Sequence, residues 1–324
     1  MLPASPTVAE PQSAAAVLMV RPARFGFNPQ TAASNAFQTA PSPRQRPGGA
    51  TDLEASALRE FDDLADQLQR AGVEVVIGRD TPEPPKPDAV FPNNWVSFHH
   101  DGTVVLYPML APNRRLERRE ELLHQVAREG RFRVVRTVDL THRETQGEFL
   151  EGTGSMVLDR THRIAYACLS PRTDLDVLGE FAQLLDYELV TFGALDADAR
   201  PIYHTNVVMA IGSEFAVLCA DVVTDHGARA AITEKLSATG HRVIEISTAQ
   251  MARFAGNVLE LAPPSGKVIA LSTNAWGSLD PQQRRGLESE GTVVAADIPV
   301  IERLGGGGVR CMLAEIHLPR SLSE

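Results

Sequence analysis

Two short apolar strands, a helix and a third strand follow one another along this chain, and then the order starts again. The pattern reads 89–98, 103–107, a charged helix over 114–129 and a strand at 132–139. It returns as 156–159, 164–168, a helix near 174–185 and a strand at 188–192. It returns again as 207–211, 215–219, 227–239 and 242–246, and once more as 258–261, 268–271, 281–290 and 292–295. Before these units stand a strand at 17–20, a helix with Leu53, Ala57, Leu58, Phe61, Leu64, Ala65 and Leu68 at helical spacing, and a strand at 73–77. Four or more repeats of one supersecondary order predict a single α/β domain over 14–324, assembled from similar units. Residues 1–13, rich in Pro, Ala and Ser, read as a disordered tail, and 38–51 as an exposed Pro/Gly/Arg loop.

A chain of 324 residues can bury a large apolar core without disulfides or metal. The net charge of −10 is spread along the sequence with no basic stripe, which argues against a nucleic-acid partner. No segment has the length of a transmembrane helix, and the N-terminus lacks the basic residues of a signal peptide, so no membrane partner is expected. The three cysteines, Cys168, Cys219 and Cys311, include no pair at metal-ligand or redox spacing. These features predict a cytoplasmic protein with no metal and no cofactor.

Four segments join polar residues with Gly or Pro beside an apolar strand: 88–95 (DAVFPNNW), 149–158 (FLEGTGSMVL), 203–212 (YHTNVVMAIG) and 305–318 (GGGGVRCMLAEIHL). The glycines Gly305 to Gly308 allow close backbone approach, and Cys311 after them is placed as a nucleophile. Read alone, it is equally a small buried hydrophobe. His204 and Asn206 open an apolar strand, and alternation puts both on one face. His204 could serve as a general acid/base or be an ordinary strand-end histidine. Glu151 could orient it or be a turn carboxylate. His99, His100 and Asp101 read as a hairpin end rather than a metal pair, Cys168 and Cys219 as core, and His317 has no companion motif.

Taken together, the four segments resemble the guanidine-modifying (pentein) superfamily over about residues 17 to 319. The citrulline-utilisation hydrolases are most similar, through residues 19–38 (MVRPARFGFNPQTAASNAFQ), FPNNW and GGGGVRCMLAEIHLP. The resemblance implies a five-bladed α/β propeller with a central active site, and a single catalytic domain. By position it makes Cys311 the nucleophile, His204 the catalytic histidine and Glu151 the acid of an E-G-G-D motif that here reads E-G-T-G, with Gly154 in the fourth place. Arg172, in LSPRT, takes the place of an arginine that grips the substrate α-carboxylate. Asp88, Asn93, Asn94 and Asn206 are the expected contacts to the reacting group, while Arg21, Arg24, Asn28 and Asn35 either line the cavity or cap turns.

Where the family grips a guanidinium with aspartates, this chain has Asn94 and Asn206. An Asn pair offers neutral donors and acceptors, which suits a ureido group better than a cation. The expectation is hydrolysis of a citrulline- or arginine-like amino acid to ornithine, ammonia and carbon dioxide through a Cys311 adduct. Deimination of arginine, amidino transfer, and non-catalytic amino-acid binding remain the alternatives, and homo-oligomers stay open.

Overall fold

The computed structural model describes residues 10–41 and 49–321. It contains five three-stranded sheets, each with the same internal order. A central strand pairs antiparallel with one neighbour and parallel with the strand that follows it across a helix. The sheets are β3(Val96–Phe98)-β4(Thr103–Leu106)-β5(Arg136–Asp139), β6(Val157–Asp159)-β7(Ile164–Cys168)-β8(Glu188–Phe192), β9(Met209–Ile211)-β10(Phe215–Leu218)-β11(Arg242–Glu245) and β12(Leu259–Leu261)-β13(Val268–Ser272)-β14(Thr292–Ala296). The fifth joins both ends of the chain: β1(Ala16–Arg21) lies between β2(Glu74–Arg79) and the short β15(Ala314–Glu315). The expected repeat thus has a fifth member, split in sequence and therefore hard to see there.

The crossover helices are Gly49–Arg70, Glu120–Glu129, Leu175–Leu185, His226–Ala238 and Pro281–Glu288. Three start where a side chain can satisfy free N–H groups: Asp174, Asp225 and Asp280 each accept from the first turn of their helix. The first helix lays Ala57, Phe61, Leu64, Ala65 and Leu68 into a core shared with Val17, Met19, Val268 and Ala270. Central strands are covered on both faces, which is why β7 is apolar or small along its whole length and entirely buried.

The structure departs from the sequence reading mainly at the strand that opens each unit. Residues 89–95 are not extended: Pro92–Asn94 is a single 3-10 turn, and β3 starts only at Val96. Pro92 has no N–H for a ladder and fits the first position of a helical turn. Thr205–Val208 is likewise one helical turn ahead of β9, so His204 and Asn206 do not alternate along a strand. The helix expected over 114–129 divides into a 3-10 turn, Pro112–Glu117, and the helix proper from Glu120. Within the segment 305–318, Ala314–Glu315 pair as β15.

Of the expected tail at 1–13, residues 1–9 lie outside the described residues. Residues 10–13 do not fit a tail. Glu10 is buried and pairs with Arg160 at 2.9 Å, and Gln12 donates to the carbonyls of Leu158 and Ile211. Part of the expected 38–51 loop, residues 42–48, also lies outside the described residues, and the helix that follows starts at Gly49.

Candidate active site

The polar segments singled out in the sequence converge on one narrow cavity of about 10 Å³. Its lining includes Asp88, Asn94, Arg172, His204 and Cys311, together with Gly305, Gly306 and Gly307. The glycines are required by close approach. A Cβ on Gly305 would stand 2.7 Å from the Phe91 ring, and Gly306 sits at φ +67, where its carbonyl accepts from the Tyr203 hydroxyl at 2.6 Å. Cys311 lies in the 3-10 turn Val309–Met312 just before β15, and only 3% of it is exposed.

His204 and Glu151 form a defined pair. His204 Nε2 is 2.9 Å from Glu151 Oε2. Glu151 is acid-range and charged: burial opposes its ionisation, but Arg172, His204 and Arg114 outweigh burial and hold it well below the usual carboxylate range. A carboxylate only accepts, so Nε2 carries the proton and Nδ1 keeps its lone pair. Nδ1 would be 2.7 Å from a Cβ on Gly154. This is a physical reason for the glycine in E-G-T-G, because a side chain there would strike both His204 and Asn94 Nδ2. Burial lowers the His204 pKa to about 4 although Glu151 pulls it upward, so the ring is neutral at pH 7. Burial also pushes the Cys311 thiol up. The resting pair is therefore a neutral thiol and a neutral imidazole.

Asn94 is oriented by a residue that sequence reasoning passed over. Arg114, 2% exposed, donates from Nη1 to Asn94 Oδ1 at 2.8 Å and makes two bonds to the Glu117 carboxylate at 3.0 and 2.9 Å. A guanidinium cannot accept, so the Asn94 oxygen must face it and the amide N–H₂ must face away. That Nδ2 is buried and has no partner in the protein. Asp88 Oδ1 and Asn206 Oδ1 are likewise buried acceptors without partners. The other Asp88 oxygen takes Asn28 Nδ2 at 2.7 Å and Thr31 Oγ1 at 3.1 Å. Asn206 Nδ2 approaches Cys311 Sγ at 3.5 Å.

Arg172 borders the cavity but is occupied. It donates to Ser34 Oγ from Nε at 3.0 Å and from Nη2 at 2.8 Å, to the Thr31 carbonyl at 3.0 Å and to Glu151 at 3.2 Å, and it stacks over Tyr203. Asn93 is fully buried, bonds Thr153, and is not part of the lining. Asn28 and Asn35 both serve the site's walls, Asn35 by donating to the Gly306 carbonyl at 3.2 Å. Arg21 instead pairs with Asp62 on the outside. Asn257 was also missed, although it lies 3.3 Å from the Cys311 sulfur. Its only sequence signal is a polar residue between a glycine and an apolar strand. Arg114 gave none, standing in what reads as a solvated charged helix.

A wider depression of about 850 Å³ runs past Phe37, Phe254 and Arg303, but it contains none of the groups just described. Asp159, His162 and His241 bring ligand atoms within 4.8 Å of one another, yet none of the three borders the Cys311 cavity. The Asp159 carboxylate there accepts from the His162 backbone and ring and closes the β6–β7 turn. No helix among the described residues is long and apolar enough to cross a membrane.

The architecture has solved counterparts. The N-terminal domain of ArgZ bound to substrate, an arginine dihydrolase from the ornithine–ammonia cycle in cyanobacteria, matches with a TM-score of 0.71 at 17% identity, over 94% of this chain and 99% of that one. Against the apo structure of ArgZ, the match takes in 94% of this chain but 41% of that one, with a TM-score of 0.70 and 18% identity. An adduct of dimethylarginine dimethylaminohydrolase with 4-chloro-2-hydroxymethylpyridine matches with a TM-score of 0.62 at 15% identity, over 93% and 99% of the two chains. At these identities the likeness is one of fold. Comparison with curated proteins finds no match. The family model described as N,N dimethylarginine dimethylhydrolase, eukaryotic, matches residues 21–318, nearly the whole chain, and on that match the protein belongs to this family of guanidine-modifying, C–N-cleaving hydrolases of the pentein superfamily.

Proposed function

We propose that the protein hydrolyses the ureido group of a citrulline-like amino acid, with Cys311 as nucleophile, His204 as general acid/base and Glu151 as its orienting carboxylate. The observation that carries this reading is the Asn94 amide, whose N–H₂ is turned away from Arg114 and left without a protein partner. A guanidinium, methylated or not, has only N–H donors and would leave this donor unmatched. A ureido oxygen accepts it. The free acceptors Asp88 Oδ1 and Asn206 Oδ1 suit the ureido nitrogens.

The chemistry follows from the resting protonation states. Cys311 Sγ attacks the ureido carbon as its proton moves toward the free Nδ1 of His204. Glu151 compensates the imidazolium charge through Nε2–H. Asn94 donates to the oxygen as negative charge grows on it. His204 then protonates the departing ammonia, leaving a thiocarbamate between Cys311 and the substrate nitrogen. Water, deprotonated by His204, releases Cys311 and a carbamic acid, which loses carbon dioxide to give ornithine. Arg172 would take the α-carboxylate in exchange for Ser34 and Thr31, Asn93 supports the Asn94 turn from behind, and no metal or cofactor enters. An arginine substrate cleaved twice is the second reading, since its second half would pass through the same ureido species.

The wider architecture belongs to the same reading: one catalytic domain over 14–324, with its five sheets as blades of a propeller around the cavity. Contacts of β3 with β15, β6 with β9, β9 with β12, and the Gly49–Arg70 helix with β14 support this ring order. Three unpaired cysteines, one of them reactive, suit a reducing cytoplasm.

The test is a product assay for ornithine and ammonia with citrulline, arginine and dimethylarginine side by side, with Cys311→Ala as control. Ornithine from citrulline, lost in the variant with its melting temperature kept, is expected. Citrulline accumulating from arginine without ornithine refutes the ureido reading, and full turnover by Cys311→Ala refutes the nucleophile.

A further inference from the structure

We infer that Asn257 is a catalytic residue: together with Asn206 it supplies the hydrogen-bond donors that stabilise the Cys311 thiolate. The inference rests on the reading of Cys311 as nucleophile and explains how that nucleophile ionises.

A buried thiolate needs donors, and a protonated histidine beside it is the usual source. Here that source is absent at rest, since the His204 ring is neutral and its one N–H is committed to Glu151. The nearest cation on the cysteine's own turn, Arg310, donates to the Leu313 carbonyl and pairs with Glu315 at 2.7 Å. Arg114 and Arg172, across the cavity, are paired with Glu117 and Glu151, Asp88 brings a negative charge, and the Tyr203 hydroxyl is spent on Gly306.

What touches the sulfur is a pair of amides. Asn257 Nδ2 lies 3.3 Å and Asn206 Nδ2 3.5 Å from Sγ. The Asn257 amide cannot be turned the other way, because the same Nδ2 donates to the Asn206 backbone carbonyl at 3.0 Å, and a carbonyl only accepts. One of its two hydrogens goes to that carbonyl and the other to the sulfur. Its oxygen, buried and without a partner, points at Gly308, where a Cβ would be 2.6 Å away. The missing side chain at Gly308 thus makes room for the amide, and the Gly308 carbonyl holds the Cys311 N–H at 3.1 Å. Sulfur is a weak acceptor as a thiol and a good one as a thiolate, so these two N–H groups favour the charged form. They also carry no charge of their own, so they add no cation that a neutral substrate would have to face.

The experiment follows alkylation of Cys311 by iodoacetamide, resolved by peptide mass spectrometry, from about pH 6 to about pH 10. It is run on the full chain, on Asn257→Ala and on Asn257→Asp, with Cys168 and Cys219 as internal references. The apparent pKa of Cys311 should rise by about one unit in Asn257→Ala, so that alkylation at neutral pH slows about tenfold. It should rise further in Asn257→Asp, which keeps the shape but puts a carboxylate beside the sulfur. The acid limb of kcat/KM should move by the same amount. A merely structural Asn257 would change turnover or melting temperature and leave the alkylation curve where it was. An unchanged curve in either folded variant overturns the inference whatever happens to activity. Turnover by Cys311→Ala, in contrast, would remove the nucleophile reading itself and leave the alkylation result standing.

Discussion

Replacing Asn94 by Asp changes one N–H₂ to one oxygen and tests the substrate argument at its origin. In the native site Asn94 Oδ1 accepts from Arg114 at 2.8 Å, and Nδ2 is the free donor beside Gly154 and His204. An aspartate keeps the Arg114 bond and turns a bare carboxylate oxygen toward the substrate. Two effects then act on a ureido substrate. The donor to the developing oxyanion is lost, which typically costs about 10²–10³ in kcat, or roughly 2.7–4 kcal/mol. A negative charge is also placed against that oxyanion, so the loss should reach at least the upper end. For arginine the sign reverses, because a charge-assisted bond to a guanidinium contributes about 1.5–3 kcal/mol, an approximately tenfold or greater gain in binding.

The assay is steady-state ornithine release from citrulline, and citrulline plus ornithine release from arginine, at matched enzyme concentration. Asn94→Ala separates the two effects, since it removes the donor without adding charge and should lose citrulline turnover without gaining arginine binding. Thermal melting checks that the Arg114–Glu117 pair still holds the turn. The reasoning is refuted if Asn94→Asp keeps citrulline kcat within about threefold of the native value, or if arginine binding does not improve.

Gly154→Ala should lower kcat about a hundredfold with little change in melting temperature, because its Cβ would meet His204 Nδ1 at 2.7 Å and also strike the Asn94 amide; native turnover in that variant would show that these two groups do not need their present positions. The histidine part of the pH dependence of stability has a definite sign. Burial is the largest cause lowering the pKa values of His99, His204 and His317 below the ordinary histidine value of 6.5. At these rings the unfolded chain takes up protons that the folded chain refuses, so the histidine contribution to stability falls as the pH drops below about 6.5. The loss is at most about 1.4 kcal/mol per pH unit for each histidine until its own folded pKa is reached. Glu117 and Glu302, which burial raises to about 7 and about 6, contribute with the opposite sign in the same range. The ring is therefore read directly: NMR titration should show His204 neutral at about pH 6, and a midpoint at the ordinary histidine value would contradict its buried neutral state.

The order of elements was readable because the central strands are mostly apolar runs such as β7, and three of the crossover helices start from a polar cap, Asp174, Asp225 or Asp280. The strand starts were not, because a one-turn helix such as Thr205–Val208, whose last two residues are valines, runs without a break in apolar character into the strand that follows it. Strand alternation is not what relates His204 and Asn206: His204 stands just before the turn Thr205–Val208 and lines the cavity with Cys311, while Asn206 lies within that turn and approaches the Cys311 sulfur. The Arg172 role expected from resemblance meets a side chain already bonded to Ser34, Thr31 and Glu151, partners that come from distant parts of the chain and leave no local trace. Arg114 was hidden for a similar reason. Its burial depends on Asn94, Glu117 and the Phe91 carbonyl closing around it, and nothing in PNRRLERRE marks which arginine faces inward.

The missed residue Asn257 follows from the repeat itself. Every sheet has a turn just ahead of its antiparallel edge strand, and each turn brings a polar side chain to the same place. Pro92–Asn94 before β3 brings Asn94, and Gly152–Ser155 before β6 follows directly on Glu151. Thr205–Val208 before β9 carries Asn206 and follows His204, and Val309–Met312 before β15 carries Cys311. Four units thus account for Asn94, Glu151, His204, Asn206 and Cys311, though not for Asp88 or Arg172, which lie outside these turns. A helical turn frees N–H and C=O groups at its ends and lets a side chain point along the strand axis, which a strand residue cannot do. The segment before β12 contributes as well: Asn257, whose N–H closes a reverse turn on the Phe254 carbonyl at 2.8 Å, lies two residues ahead of β12 and touches the sulfur of the turn before β15. Residues that are scattered over more than two hundred positions become neighbours because they occupy equivalent places in successive units.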